Sequence, residues 1–355
     1  MATSKPERLR RVSVLRIFFG RPEFAAIMGA ILVWLVFASL ELAGVSRGFL
    51  TVRGTANMLE VAAQIGILGS AVSLLMIAGE FDLSVGSMVG AAGMIVAIGI
   101  GQWGWPVWLA VAVAFAFALT VGFLNGWVVV KTGLPSFIVT LASLFMLRGA
   151  TIGVTRLITG RTQVGGLDVL TAGDPVADLF RGNLFEVTEA GTGAKVIFEI
   201  SILWWVVLAL AATWILLRTP FGNWIFGAGG SAVAARNVGV PVDRVKVLLF
   251  MATAASAALL ACVQVLNVNS GDVLRGEEFE FRAIITAVIG GTLLTGGYGS
   301  AIGTFFGALT LGLASGGLFF VGLGNEWFKL FLGALLLVAV LVNAWIRRRA
   351  SEAHR

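Results

Sequence analysis

Histidine and cysteine are almost missing from this 355-residue chain: His354 stands beside the C-terminus and Cys262 inside an apolar run. One histidine that close to an end leaves no His-based general base in a pocket. One cysteine allows neither a disulfide nor a zinc cluster. Cys262 reads as a small buried apolar residue rather than a redox group. Charge is scarce as well, at 12% of residues against roughly 25% in soluble domains. No G-x-x-x-x-G-K-[ST] phosphate loop occurs, so the chain has no means of its own to bind and hydrolyse ATP. No catalytic pair, metal-ligand set or cofactor site is expected.

What is abundant points to a bilayer. Hydrophobic residues make up 58% of the chain, glycine fills 46 positions, and the mean hydropathy is +0.95. So few charges cannot cover a water-facing surface of ordinary size. The net charge of +6 is not a nucleic-acid signal, because the basic residues cluster at the two ends: Lys5, Arg8, Arg10, Arg11, Arg16 and Arg21, then Arg347, Arg348, Arg349 and Arg355. Beside hydrophobic spans, such clusters read as cytoplasmic anchors. The apolar stretch from Phe24 to Leu42 is close to a full span and does not read as a cleavable signal peptide.

A span takes about 20 apolar residues. That measure gives ten, near 24–43, 59–79, 84–101, 107–130, 136–158, 197–217, 246–266, 283–296, 300–323 and 327–346. The fold expected is an all-α, polytopic inner-membrane bundle of about ten helices with both termini cytoplasmic. It divides into a basic N-terminus (1–23), a transmembrane domain (24–346) and a basic tail (347–355). Lys131, Arg218, Arg236, Arg244 and Lys246 fall inside on this topology. Asp168, Asp174, Asp178, Glu186, Glu189, Asp272, Glu277, Glu278 and Glu280 fall outside. Two hydrophilic segments interrupt the pattern: an outer one, 159–196, rich in turn signals, and an inner one, 218–246. In the inner segment Ser231 is an N-cap candidate, Ala232 to Val238 favour helix, and Gly239 with Pro241 stops it. An exposed helix of this composition suits docking to a partner; a connector lying on the membrane surface is the alternative. Shifting by 217 residues lays Gly79, Gly86, Gly90 and Ala91 onto Gly296, Gly303, Gly307 and Ala308, a weak echo of internal duplication.

The strongest local anomaly is Ala78-Gly-Glu-Phe-Asp-Leu-Ser-Val-Gly-Ser87, where two carboxylates interrupt an apolar stretch. Acidic residues at membrane depth cost about 2.5–3.5 kcal/mol on insertion scales and face a bundle interior or a wet cavity. Two roles are open to Asp82: capping the helix that starts near Ser84, or lining a translocation path. Asn57, Glu60 and Gln64 share one helical face, and Asn125, Thr140, Ser143, Arg148, Gln264 and Asn267 are further polar residues inside or at the ends of spans. A hydroxyl-rich, uncharged solute would need amide and hydroxyl partners of this kind; interhelical hydrogen bonding is the alternative for each residue. Arg148 needs a counter-charge, with Glu60 or Asp82 the candidates. Gly99-Ile-Gly-Gln-Trp-Gly104 fits G-x-G-x-x-G but lacks a βαβ context, and reads as a loop with interfacial tryptophans.

Gly79-Glu-Phe-Asp-Leu-Ser-Val-Gly86 resembles the "GGIDLSVG" signature of the permease subunits of monosaccharide ABC importers of the ribose, xylose, galactose and arabinose type. These share a superfamily with branched-chain amino acid permeases. Asn57-Met-Leu-Glu precedes the signature as in that family. Gly122-Phe-Leu-Asn-Gly126, Leu134-Pro-Ser-Phe-Ile-Val-Thr-Leu141 and Arg148-Gly149 are similar to its next conserved stretch. The run from Phe226 to Val240 looks like its cytoplasmic coupling segment, and Val288 to Thr304 resembles its "IGGTSLxGGxGxxxGT" stretch. Glu80 and Phe81 depart from the signature, which keeps the sugar unassigned, and segment 159–196 is longer than the family leads one to expect.

The resemblance implies the transmembrane subunit of an ATP-driven monosaccharide importer in the bacterial inner membrane. It implies a second permease copy, a cytoplasmic ATPase that binds the ATP, and a periplasmic or lipid-anchored sugar-binding protein. It also carries the coupling role to Ser231, Ala234, Ala235, Arg236 and Gly239. Asp82, Ser84, Glu80, Asn57, Gln64 and Asn125 are the candidates for the solute pathway or its gate. Two other readings stay open: import of branched-chain amino acids by the same architecture, and an ion-coupled carrier using Glu60, Glu80 and Asp82 as a relay.

Overall fold

The computed structural model describes residues 22–189 and 193–352; the basic run Lys5 to Arg21 and the terminal Arg355 lie outside the described residues. Helices α1 (Pro22–Leu42), α2 (Val52–Ile77), α3 (Val85–Gly101), α4 (Val107–Thr132) and α5 (Ser136–Thr159) come first. A mixed insert follows: β1 (Gln163–Gly165), α6 (Leu167–Leu170), α7 (Pro175–Arg181), β2 (Asn183–Thr188) and β3 (Lys195–Glu199). Then come α8 (Ser201–Arg218), α9 (Pro220–Gly230), α10 (Ala232–Asn237) and α11 (Val242–Val268). Strand β4 (Ser270–Asp272), α12 (Phe279–Ile289), α13 (Ala301–Phe320) and α14 (Asn325–Glu352) complete the chain.

Seven helices among the described residues are long and apolar enough to cross a membrane: α1, α2, α4, α5, α8, α11 and α13. The chain is a polytopic helical membrane protein. Its core is built on α2, α3 and α11, whose apolar side chains are almost all buried. Around them α4, α5, α8 and α14 show apolar outward faces, with Trp108, Phe123, Trp127, Phe145, Met146, Leu210, Trp214 and Leu337 exposed. A bundle whose outside is apolar suits hydrocarbon, where helices meet lipid directly and the polar groups turn inward.

Local sequence accounts for the helix ends. The Thr51 hydroxyl accepts the Gly54 amide at 3.0 Å and caps α2, and the Ser300 hydroxyl accepts the Gly303 amide at 3.2 Å and caps α13. The stretch expected as an eighth span, 283–296, is instead the 11-residue α12 and an irregular segment. At 1.5 Å per residue α12 rises about 16 Å, roughly half a hydrocarbon core. The chain thus shows helix, break and helix twice, α2 then α3 and α12 then α13, with Gly79 and Gly296 at corresponding places in the two breaks.

The insert that the sequence marks only by turn signals is ordered. Strand β1 pairs antiparallel with β4, placing Val164 opposite Gly271, and β2 pairs with β3, placing Val187 opposite Val196. Arg181 donates to the Thr171 hydroxyl at 2.6 Å and to its carbonyl at 2.7 Å, closing α7 onto α6. Val196 and Phe198 pack on Ala56 near the start of α2, whereas the other end of α2 meets α9. The bundle therefore has a strand-bearing end and an α10 end.

Candidate functional site

The break between α2 and α3 is built around Asp82, which is fully buried. One carboxylate oxygen accepts the Ser84 amide at 2.9 Å and the Ser84 hydroxyl at 2.6 Å, and the other accepts the Thr253 hydroxyl of α11 at 2.6 Å. Asn125 of α4 donates to the Ser84 hydroxyl at 3.1 Å, and Ser143 of α5 donates to the Asn125 side-chain Oδ1 at 2.5 Å. A break inside a bilayer frees backbone groups that must find partners in the protein. Here the Phe81 and Leu83 amides donate to the hydroxyls of Ser136 and Thr140, at 3.0 and 3.1 Å. One acidic residue thus joins the start of α3 to α11 and, through Ser84 and Asn125, to α4 and α5. Asn125 and Ser143 also border an otherwise apolar cleft of about 450 Å³ between α4 and α5. Glu80, two residues before Asp82, is ion-paired with Lys246 of α11 and nearly buried.

Glycine lets three backbones meet beneath this network. Gly79 (φ +85°) lies against Gly229 of α9, and a side chain at Gly296 (φ +75°) would reach the Gly79 Cα at 2.7 Å. A side chain at Gly229 would run into the Ile77 carbonyl, with the Gly297 amide at 2.6 Å; one at Gly297 would meet the Gly230 Cα at 2.8 Å. Both helix breaks therefore rest on the last turn of α9, the element that leads into α10.

Helix α10 forms as its sequence dictates. The Ser231 hydroxyl accepts the Ala234 amide at 3.3 Å, and Gly239 (φ +88°) ends the turn. Ala235 is buried against Ala228 and Val242, which fixes α10 to its flanks. Ala234 and Arg236 are exposed, and Arg236 is ion-paired with Asp243. The exposed large apolar residues of α10 and of the position that follows it are Val233 and Val238. Neither stands out in the sequence; the signal that would have found them is the single buried alanine of the turn, which sets which face is left outward.

Between the middle of α2 and the last turns of α11, Gln264 donates to the Gln64 side-chain Oε1 at 2.8 Å, and Gln64 donates to Glu60 at 3.1 Å. Asn267 donates to Glu199 at 2.5 Å. Asn57 is exposed near the start of α2. The six pathway candidates thus fall into separate groups: Asp82, Ser84 and Asn125 share one network, Glu80 belongs to Lys246, Gln64 bridges α2 and α11, and Asn57 stands apart. Arg148 is not neutralised by Glu60 or Asp82. It lies 3.5 Å from Glu277, in the segment leading to α12, because the chain after β4 turns back along α3, carrying its acidic residues to the middle of α5.

The family described as branched-chain amino acid transport system / permease component matches residues 54–340. The xylose transport system permease protein XylH of Escherichia coli (strain K12) is 30% identical over 343 residues, covering 85% of this chain and 87% of that protein. The ribose import permease protein RbsC of the same strain is 29% identical over 300 residues, covering 84% and 88%. A probable ABC transporter permease protein, YphD, also of that strain, is 31% identical over 308 residues, covering 87% and 86%. No solved structure matches the chain.

Proposed function

The chain belongs to the family of branched-chain amino acid transport system permease components, and from that membership we propose that it is the transmembrane subunit of an ATP-binding-cassette importer for a monosaccharide. The sugar side of the proposal is supported by the relatives named for xylose and ribose transport. A secreted binding protein delivers the sugar at the strand-bearing end, and a partner ATPase binds and hydrolyses the ATP at the α10 end. The subunit performs no covalent chemistry. It works with a second permease copy in a bacterial inner membrane, as a polytopic bundle with both termini in the cytoplasm.

The observation that carries the coupling is the backbone junction of Gly229 with Ile77 and Gly297. An ATPase that grips Val233 and Val238 moves α10, and α9 moves with it through Ala228 and Ala235. Since Gly79, Gly296 and Gly297 touch Gly229 and Gly230 without an intervening side chain, that motion reaches both breaks at once. Close-packed backbones have no slack to absorb it. The Asp82 network then carries the displacement into α3, α4, α5 and α11. Partner binding thereby biases an equilibrium between two arrangements of the helices. A proton relay through Glu60, Glu80 and Asp82 is disfavoured, since Glu80 is held by Lys246 and Asp82 by three hydrogen bonds away from solvent.

The test is sugar uptake by cells expressing the full chain with the ATPase and binding protein encoded beside it. Uptake is expected to follow cellular ATP and to survive an uncoupler at constant ATP. Uptake that collapses with the uncoupler alone overturns the proposal in favour of an ion-coupled carrier.

A further inference from the structure

A second polar centre lies apart from the Asp82 network and the glycine junction. Glu277, Glu278, Arg282, Phe328 and Lys329 surround a cavity of about 480 Å³, within the roughly 300–1,000 Å³ range of small-molecule sites. Lys329 donates to Glu278 at 2.6 Å, Arg282 lies 3.9 Å from the same carboxylate, and Arg148 is the 3.5 Å partner of Glu277.

The depth of this cavity decides what it faces. Arg148 stands half-way along α5, and Phe328 packs in one cluster with Ile65 and Leu311, in the middle of α2 and α13. The cavity therefore sits at the middle of the bundle although it is lined by the first turn of α14. Glu277 and Lys329 are nonetheless more than half exposed. Charged groups exposed at that depth cannot face hydrocarbon without a heavy cost; they face a wet cavity or another chain. Further along the same helix, Leu330, Leu337, Val338 and Leu341 show the apolar surface that lipid requires.

Its chemistry suits a neutral solute. Two cations, Arg282 and Lys329, line the cavity with two carboxylates, Glu277 and Glu278, so the lining carries no net formal charge to hold an ion. Ionised donors and acceptors still make the stronger hydrogen bonds to hydroxyl groups. Bonding capacity is left over: the Arg282 Nε has no hydrogen-bond partner among the described residues. Phe328, with the Arg282 guanidinium 5.3 Å from its ring, supplies an apolar wall against which the C–H face of a ring can lie. Glu278 adopts a left-handed conformation (φ +66°) that side chains seldom take, at the point where it meets both Lys329 and Arg282.

We propose that this cavity is the half-depth station of the transport path, where Glu277, Glu278, Arg282 and Lys329 hold the hydroxyl groups of a monosaccharide-sized polyol against Phe328. The assignment rests on the importer reading above. It is tested in proteoliposomes holding the full permease with its ATPase, using radiolabelled xylose and ribose presented by the binding protein. The variants Glu278→Gln and Lys329→Met are expected to cut ATP-driven uptake at least tenfold while leaving ATPase association unchanged. Lys329→Cys in a Cys262→Ala chain supplies a readout that does not depend on turnover. A hydrophilic thiol reagent should label it, and millimolar xylose or ribose should slow labelling at least threefold while leucine does not. Wild-type uptake by both uptake variants, labelling unaffected by either sugar, or labelling slowed by leucine instead overturns the cavity assignment and leaves the importer reading standing. Absence of ATP-driven sugar uptake by the wild-type complex overturns the importer reading and this inference with it.

Discussion

The amide of Gly297 donates to the carbonyl of Ile77 at 2.8 Å, so the break that follows α12 is hydrogen-bonded to the last turn of α2, 220 residues earlier in the chain. That bond lies against the Cα of Gly229, which links it to α10. The two discontinuous helix pairs therefore share one backbone joint, placed where a partner at the α10 end can act on it.

Substituting Gly296 by valine should uncouple the protein. The residue adopts φ +75°, which costs an L side chain about 1–2 kcal/mol, and a Cβ would meet the Gly79 Cα at 2.7 Å. The expected outcome is a complex that still hydrolyses ATP but loses at least tenfold of its sugar uptake, measured side by side in proteoliposomes. Uptake and hydrolysis falling together, in proportion to the protein recovered, would show a folding defect instead of a broken joint.

The docking face is expected to be Val233 and Val238 rather than Ala235. Val233→Glu with Val238→Glu places two charges where an apolar contact is needed and should abolish co-purification of the ATPase. Membrane insertion should be unaffected, because both side chains point away from the bundle. Ala235→Trp should act differently, distorting α10 itself, since Ala235 is packed on Ala228 and Val242. Full recovery of the ATPase with the double valine variant rules out this face.

Asp82 should matter first for stability. Asp82→Ala strands the Ser84 and Thr253 donors in a buried site, at a cost of about 3 kcal/mol or more. Asp82→Asn keeps one accepting oxygen and should cost less. Thr253→Val removes a single donor and should cost about 1–3 kcal/mol. Thermal unfolding of the detergent-solubilised protein orders the three; a midpoint for Asp82→Ala equal to wild type would contradict the pinning role. Arg181→Ala, in the outer segment, should lower transport less than Asp82→Ala does.

Short-range chemistry was legible in the sequence. Ser231 as the cap of α10 and Gly239 as its stop depend only on residues within one turn, and both appear where the residue types place them. The break at Gly79 to Ser84 was legible too, because carboxylates and glycines in an apolar run have few explanations. The partners were not. Asp82 finds Thr253 at 171 positions' distance, and Arg148 finds Glu277 rather than Glu60 or Asp82, because the chain after β4 folds back beside α3. No periodicity encodes that path. The length of α12 was hidden for a related reason: hydropathy rises over 283–296 whether a helix runs through it or not, and the helix ends at Ile289. The strands of the insert escaped as well, β1 because its partner β4 lies more than a hundred residues away.

The most direct test of the account is uptake into proteoliposomes that hold the full chain, its ATPase and internal ATP, with the sugar-loaded binding protein outside. The expected result is accumulation of xylose or ribose that requires hydrolysable ATP, requires the binding protein, and disappears with the Val233→Glu, Val238→Glu variant. Accumulation that proceeds without ATP, driven by a proton or sodium gradient across the same membrane, would contradict it.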